Sequence, residues 1–281
     1  MRKTDSIIII IALMGVITLA FGMPGLAIAK LQSQEGNNGL WAVNVYRTLA
    51  NVAPVVGDPV LTEQCMLHAA FMAENKEASL EEDASKSLYS PEGSICAGNA
   101  LIYLLPPNPQ SLQANRTVDA WLESPTHRMW LLYPTLAAVG YGYKVAQVND
   151  GWVTSAALDV LSGIDFNADS VYPNWPARYP APGQVGIPTV RMPVTVWWPY
   201  AGPAPAINLT TTTLTTEAGV KLAFTANNNP NTYGGHKHIT LIPDDPLANN
   251  TIFVVHLEGT YSDQPFTYEW KFSTGTTAIP E

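Results

Sequence analysis

Charged side chains are scarce in this sequence, and basic ones are the scarcer kind. Only 13% of the 281 residues are Asp, Glu, Lys or Arg, and the formal net charge at pH 7 is -9. A typical soluble domain has about a quarter of its residues charged. After Arg2 and Lys3 no cluster of basic residues follows. Nucleic acids and anionic membranes attract proteins through such clusters, so the composition argues against both as partners.

Cysteine is also scarce, since the chain contains only Cys65 and Cys96. No His or basic residue lies close to Cys96 in the sequence to activate a thiolate, so a catalytic thiol is not expected. In an oxidising compartment a lone pair of cysteines favours one disulfide. The alternative is two buried free thiols, which behave as small apolar side chains.

The first 29 residues have the layout of an export signal. Arg2 and Lys3 precede an uncharged run over residues 6–29, a Pro-Gly pair interrupts it at 24–25, and Ala-Ile-Ala follows at 27–29. This order is typical of a secretory signal peptide. The alternative is an uncleaved anchor, because about 20 apolar residues also span a bilayer. In both cases we expect the rest of the protein to be secreted or held at the cell surface, with membrane contact only if the segment is retained.

A proline-rich segment divides the remaining chain into two predicted domains. Residues 166–188 contain five prolines and predict a linker or an extended brace. Residues 38–165 mix helical and strand-like patterns. Residues 189–276 have no helical period and contain short strand-like runs separated by turns, which is typical of an antiparallel sandwich.

The clearest helix of the first domain begins after Asp58. Asp58 is suited to cap it, Pro59 suits its first position, and the apolar face carries Cys65 and His68. Further helices are predicted over 40–54 and 111–123. Strands are predicted over 137–146, 151–161, 192–200, 219–227, 238–243, 251–261 and 266–274.

Five stretches in the first domain follow one another in an informative order. They are VNVYR, PVVGDPVLTEQCMLHAAFMA, YSPEG, AWLESPTHR and LLYPTLAAVGYGY, all between Val43 and Leu161. The series resembles the bacterial branch of the CAP superfamily, which comprises the cysteine-rich secretory, antigen 5 and pathogenesis-related 1 proteins and is also called SCP-like. The resemblance implies a three-layer α-β-α sandwich. The second domain is similar to immunoglobulin-like modules of bacterial surface proteins, so the expected fold class is α+β with an all-β second domain.

The resemblance also implies a cleft that holds two His and one or two Glu, and that binds a divalent cation in some family members. His127 matches one of the two His, Leu88 stands at the position of the other, and Gly98 lies where the family has an acid. Glu92 and Glu123 are the nearest remaining acids. A catalytic zinc usually has three protein ligands, so we expect neither a metal nor another cofactor here.

These residues are instead predicted to be structural. His127 is expected to donate to a carbonyl or carboxylate, and Arg128 to pair with Glu92 or Glu123. Together they would hold the end of the helix over 111–123 against the strand over 137–146. His68 is predicted to be a hydrogen-bonded core residue. The alternative for His68 is a position in the cleft, where it would replace the missing His.

Two features of the second domain remain open. Trp197 and Trp198 are adjacent, so a strand would place one indole in a core and leave the other to contact the first domain or a glycan. His236 and His238 lie two residues apart without a third ligand, which favours an exposed turn over a metal site.

Binding without catalysis is the function that the sequence favours. The resemblance implies lipids or sterols as candidate ligands, or cell-envelope polymers, held in the cleft or on the sandwich face. The alternatives are a metal-dependent hydrolase of the protease type and a purely structural surface module. The missing His and Glu argue against an enzyme, and Ser90, Ser94 and Ser124 have no nucleophile-elbow motif around them.

The export signal gives the first testable prediction. We expect signal removal during export, so that the mature chain begins near Lys30. Intact-mass measurement of the exported protein tests this directly. A mass that still includes residues 1–29 would identify the segment as an anchor.

Overall fold

The computed structural model describes residues 24–199, 206–227 and 238–280. Most of the predicted export signal lies outside these ranges, and so does His236. Residues 24–29 form the beginning of the first helix, α1. Within the described ranges no helix is both long enough and apolar enough to cross a lipid bilayer.

The five α-helices all lie before residue 132, and after the 3-10 helix at Phe166–Val171 the described elements are strands. The helices are α1 Pro24–Leu49, α2 Pro59–Asn75, α3 Pro91–Asn99, α4 Ala114–Glu123 and α5 Pro125–Leu131, with a 3-10 helix at Phe166–Val171. The strands are β1 Val56–Gly57, β2 Ala100–Asn108, β3 Ala138–Val148, β4 Gly151–Asp159, β5 Ala177–Tyr179, β6 Val194–Trp197, β7 Ile207–Thr216, β8 Phe224–Asn227, β9 His238–Pro243, β10 Ile252–Tyr261 and β11 Gln264–Ser273.

The first domain contains one sheet with the strand order β1-β3-β4-β2, in which only the β1–β3 pairing is parallel. Helix α2 lies against one face of this sheet. Gly140 and Gly142 of β3 face it, and a Cβ added at Gly142 would lie 2.0 Å from the carbonyl oxygen of Cys65. Real Cβ atoms do not approach other atoms so closely. The two glycines therefore determine how near α2 comes to the sheet.

Helices α1 and α4 cover the opposite face. Tyr141 alternates with the two glycines along β3, and its hydroxyl lies 2.9 Å from the hydroxyl of Thr117 in α4. The ring of Trp121 meets the Tyr141 ring edge to face at 6.2 Å. The Trp121 indole also donates to the carbonyl of Ile102 in β2. Helices on both faces of the sheet give the α-β-α layering that was expected.

Helix α2 begins after Asp58, as predicted, and a disulfide joins it to α3. The Asp58 carboxylate accepts hydrogen bonds from the backbone amides of Val60 and Leu61. Cys65 in α2 and Cys96 in α3 form a disulfide, and both residues are fully buried. The bridge joins the two helices on the same side of the sheet.

The predicted second domain, joined by β5 from the proline-rich segment, has two sheets that pack on each other, with the strand orders β11-β10-β7 and β5-β6-β9-β8. Trp198 follows β6, and its ring stacks on Tyr261 of β10 at 4.8 Å. Trp197 and Trp198 are 1% and 4% exposed, so neither indole forms an open glycan-binding surface. His238 is 4% exposed in β9 and is not part of an exposed turn, which corrects the expectation for this residue.

The proline-rich segment over 166–188 is part of the packed fold and does not act as a free spacer. Its β5 strand pairs with β6, between Pro176 and Pro180. Prolines are tolerated there because β5 lies at the edge of its sheet. The indole of Trp270 donates to the carbonyl of Pro180 at 2.9 Å, which fixes the segment on the opposite sheet.

Several elements were not predicted from the sequence. Helices α3 and α5 were missed because they are only nine and seven residues long. Each also begins with a Ser-Pro pair, which is common at the start of turns. Strand β2 contains Pro106 and Pro107, which it accommodates because it lies at the edge of its sheet. Strand β7 was missed because threonines occupy most of it in place of alternating apolar residues, although β-branched residues favour strands. Helix α1 ends at Leu49, before Pro54.

Gly142→Ala tests the close approach of α2 to the sheet. Since its Cβ would collide with the backbone of Cys65, we expect a loss of about 3 kcal/mol in the free energy of unfolding. Gly98→Ala is the matched control, because an added Cβ meets nothing within 4 Å at that helical position. It should be neutral or stabilising by up to about 1 kcal/mol. Urea denaturation of both variants makes the comparison, and equal losses would contradict the packing described.

Candidate functional site

Helix α5 directs adjacent side chains to different surroundings. It begins at Pro125, a residue well suited to the first helical position. His127 and Trp130 are three residues apart, lie on one face and line a cavity. Arg128 and Leu131 lie on another face and are completely buried. The SPTHR sequence thus contributes one residue to a cavity and the next to the core.

The cavity around His127, called here the His127 cavity, has a volume of about 590 Å³. Most of its wall is apolar. It is lined by Leu80, Gly98, Asn99, Ala100, Leu101, Ile102, His127, Trp130, Val160, Leu161 and Phe166. Leu80 and Phe166 are 55% and 42% exposed. Pockets of about 300 to 1,000 Å³ with such walls are typical of small-molecule sites.

His127 is half-buried in the wall of this cavity. No hydrogen bond to either ring nitrogen of His127 occurs within the described ranges. This contradicts the expectation that His127 donates to a carbonyl or carboxylate and so holds the end of α4. Burial lowers the pKa of His127 below its usual range, so the imidazole is neutral at neutral pH. A neutral imidazole adds little polarity to an apolar wall.

Arg128 alone makes the structural contacts that were expected of His127 and Arg128 together. Its Nε donates to the carbonyl of Leu122 in α4 at 2.6 Å. One terminal nitrogen donates to the carbonyl of Pro193 and to the hydroxyl of Thr195 at 2.7 and 2.9 Å. The guanidinium carbon also lies 4.6 Å from the ring centroid of Tyr179. Arg128 therefore links α4 to the second domain, and it pairs with neither Glu92 nor Glu123.

Arg47, from the VNVYR stretch, fixes the other end of α5. It is completely buried and donates to the carbonyls of Leu131 and Tyr133 at 3.0 and 3.1 Å. It also donates to the carbonyls of Ala53 and Leu136. Burial lowers the pKa of both Arg47 and Arg128 to about 10, so both remain charged at neutral pH.

His68 is a hydrogen-bonded core residue and does not reach the His127 cavity. Its Nε2 donates to the carbonyl of Ser79, and its Nδ1 lies 2.9 Å from the carboxylate of Glu82. Both side chains are fully buried. The other oxygen of Glu82 accepts from the backbone amide of Ser90. Glu82 was missed in the sequence because the family motif directs attention to Glu92, ten residues later.

The other predicted site residues do not assemble into a metal site. Glu92 and Glu123 are exposed, Leu88 is 56% exposed, and none of the three lines the cavity. In the parts of the chain that the structure describes, no three His, Cys, Asp or Glu side chains are grouped as metal ligands would be. His127 is the one cavity residue there with a strong metal-ligating group.

Comparison with known proteins supports the family resemblance of the first domain. Residues 40–156 match the sequence model of CAP, the cysteine-rich secretory protein family. Comparison with curated protein sequences gives no match.

Two solved structures are similar to part of the chain. One is an extracellular protein containing a SCP domain from Bacillus anthracis strain Ames, with 17% identity and a TM-score of 0.34 over 46% of this chain and 42% of that protein. The other is an outer surface protein from Borrelia burgdorferi, with 17% identity and a TM-score of 0.32 over 44% of this chain and 91% of that protein. This chain thus spans less than half of the Bacillus protein.

The different roles of Arg128 and His127 predict different effects on stability. Arg128→Gln leaves buried carbonyls unpaired at the domain junction, so we expect a loss of about 3 to 5 kcal/mol in the free energy of unfolding. His127→Ala removes a half-buried side chain without described hydrogen bonds and should cost less than about 1 kcal/mol. Chemical denaturation measures both. A His127→Ala loss as large as that of Arg128→Gln would restore a structural role for His127.

Proposed function

We propose that this protein is exported and binds an apolar, lipid-like ligand in the His127 cavity without catalysing its conversion. The observation that carries this proposal is the chemistry of the cavity wall, in which aliphatic and aromatic side chains surround a single neutral imidazole. Removing apolar ligand surface from water contributes about 25 cal/mol per Å². A wall of this kind therefore favours a hydrocarbon chain or a fused ring system over a polar substrate.

The openings of the cavity support the same ligand class. Leu80 and Phe166 are exposed at its margin. Ile95 is 49% exposed on α3, one turn before the lining residues Gly98 and Asn99. An exposed apolar margin of this kind is typical of sites for apolar ligands or partners. A ligand longer than the cavity would continue along these side chains.

A hydrolase is the less supported alternative. The described lining residues include neither Ser nor Cys, and neither Asp nor Glu. Hydrolysis needs an activated nucleophile or a metal-bound water, together with a group that transfers a proton. His127 alone supplies only the last of these. A purely structural surface module remains the second alternative, and it requires no ligand in the cavity.

We also propose that the second domain is an immunoglobulin-like sandwich. It would present the first domain at the cell surface or in the secreted protein. Its two packed sheets, with the rings of Trp198 and Tyr261 stacked between them at 4.8 Å, support this assignment. A cell-envelope polymer is the ligand class that its outer face would contact.

Gly98→Leu tests occupation of the His127 cavity. The position has open space around an added Cβ and lines the cavity, so a leucine should fill it without disturbing the fold. We expect wild-type protein to enhance the fluorescence of N-phenyl-1-naphthylamine, an uncharged apolar dye. The Gly98→Leu variant should bind the dye at least about tenfold more weakly, because it lacks the volume that the dye occupies.

Leu80→Asp and Leu88→Asp form a matched pair for the same assay. Both leucines are close to 55% exposed and lie near each other in sequence, but only Leu80 lines the cavity. Leu80→Asp should weaken dye binding, and Leu88→Asp should leave it unchanged. Equal effects of the two variants, or full binding by Gly98→Leu, would place the dye elsewhere.

Acidic pH should weaken the binding of an uncharged apolar ligand. The pKa of His127 is already lowered by burial, and a bound apolar ligand removes further water from the imidazole. The ligand therefore prefers the neutral imidazole, and affinity should fall as the pH decreases through the pKa of His127, below about 6.5. His127→Gln should remove this dependence, since no other described lining residue titrates in that range. A dye titration from about pH 8 to about pH 5 distinguishes these outcomes, and an unchanged pH profile in His127→Gln would contradict the assignment.

A further inference from the structure

A second cavity lies where the two domains meet and shares no residue with the His127 cavity. It has a volume of about 490 Å³ and is called here the junction cavity. The first domain contributes the turn after α1 and the end of α5, and the remainder comes from the proline-rich segment and β6. It is lined by Ala50, Asn51, Val52, Leu132, Tyr172, Pro173, Asn174, Trp175, Pro176, Ala177, Arg178, Pro182 and Trp197.

Arg178 is the charged residue of this lining. Its guanidinium carbon lies 5.0 Å from the ring centroid of Tyr268 and 5.5 Å from that of Trp270. Its Nε donates to the carbonyl of Pro176 at 3.3 Å. Within the described ranges no carboxylate forms an ion pair with Arg178. The aromatic rings thus hold the guanidinium in place while its positive charge remains uncompensated, in a protein whose formal net charge is -9.

Aromatic rings form a rigid part of the same wall. The indole of Trp175 donates to the carbonyl of Asp169 at 2.9 Å. Its ring meets the rings of Tyr133 and Tyr172 edge to face at 5.6 and 5.5 Å. Trp175 and Tyr172 are both half-buried, so part of each ring faces solvent. Fixed aromatic rings of this kind can pack against the C–H face of a sugar ring.

The remaining polar groups of the lining are free to bind a ligand. Asn51 and Asn174 are exposed, and their amides make no hydrogen bond to a described residue. Donors and an uncompensated cation favour a ligand that is rich in acceptor oxygens and negatively charged.

We propose that the junction cavity binds a saccharide that carries a carboxylate. The carboxylate would pair with the Arg178 guanidinium, whose planar fork suits this group. The sugar ring would pack on the rings of Trp175 and Tyr172, with its hydroxyls at the amides of Asn51 and Asn174. The volume is sufficient for one or two sugar rings, within the range of about 300 to 1,000 Å³ that is usual for ligand pockets. The proposal is independent of the apolar ligand in the His127 cavity.

The experiment compares an acidic with a neutral disaccharide by isothermal titration calorimetry on the full exported chain. The probes are digalacturonic acid and its neutral counterpart, α-1,4-galactobiose. We expect the wild type to bind the acidic probe at least about tenfold more tightly, because a charge-assisted pair is lost with the neutral one. This comparison needs no variant and does not depend on how a substitution affects folding.

Arg178→Gln and Arg191→Gln form the matched pair of variants. Arg191 is exposed, and its Nε donates to the carbonyl of Pro243, but it does not line the junction cavity. Arg178→Gln should abolish the preference for the acidic disaccharide, whereas Arg191→Gln should retain it. Thermal unfolding of both variants checks that the domains remain folded.

Four results would overturn the proposal. The first is that the wild type fails to bind digalacturonic acid at millimolar concentration, and the second is that it binds both disaccharides equally. The third is that Arg191→Gln loses the preference as fully as Arg178→Gln. Tighter binding of an N-acetylated dipeptide with a free carboxylate would assign the cavity to peptides and would also contradict the saccharide.

Discussion

The buried guanidinium of Arg128 is the interaction on which the arrangement of both domains depends. It is completely buried and still charged at neutral pH, because burial lowers its pKa only to about 10. A buried charge is costly unless its hydrogen bonds are made. Its partners come from α4 on one side and from Pro193 and Thr195 on the other. Separation of the two domains would break the hydrogen bonds of this cation to Pro193 and Thr195.

The position of α5 follows from this constraint. Arg128 connects the helix to α4 through the carbonyl of Leu122, and Arg47 donates a hydrogen bond to the carbonyl of Leu131 at the end of α5. With both ends held, the helix can turn only one face toward the His127 cavity, and that face carries His127 and Trp130. Arg128 therefore has a structural role, whereas the adjacent His127 lines the cavity.

Much of the fold was predictable because it rests on local signals. Asp58 and Pro59 mark the beginning of α2, and the two turn residues Asn149 and Asp150, followed by Gly151, join β3 to β4 as a hairpin. The His68 environment was also anticipated, since a His on an apolar helix face normally finds partners. The partner itself, Glu82, was not predictable, because it comes from a loop whose path no periodicity defines.

The candidate sites were less predictable, because they depend on which distant segments meet. Gly98 and Leu80 lie in different segments from His127, and only the tertiary fold places them in one apolar cavity. No local pattern in the sequence indicated this apolar cavity. The partners of Arg128 were likewise misassigned to the nearest acids, because the true acceptors are backbone carbonyls and a hydroxyl that carry no sequence signal.

The central claim is that the His127 cavity accommodates an apolar ligand without a metal. Isothermal titration calorimetry of a medium-chain alcohol such as 1-octanol, at several temperatures and in the presence of EDTA, tests it most directly. We expect saturable binding with a negative heat-capacity change, because apolar surface leaves water on binding. Binding that disappears in EDTA and returns on addition of zinc would contradict it, and so would the absence of any binding.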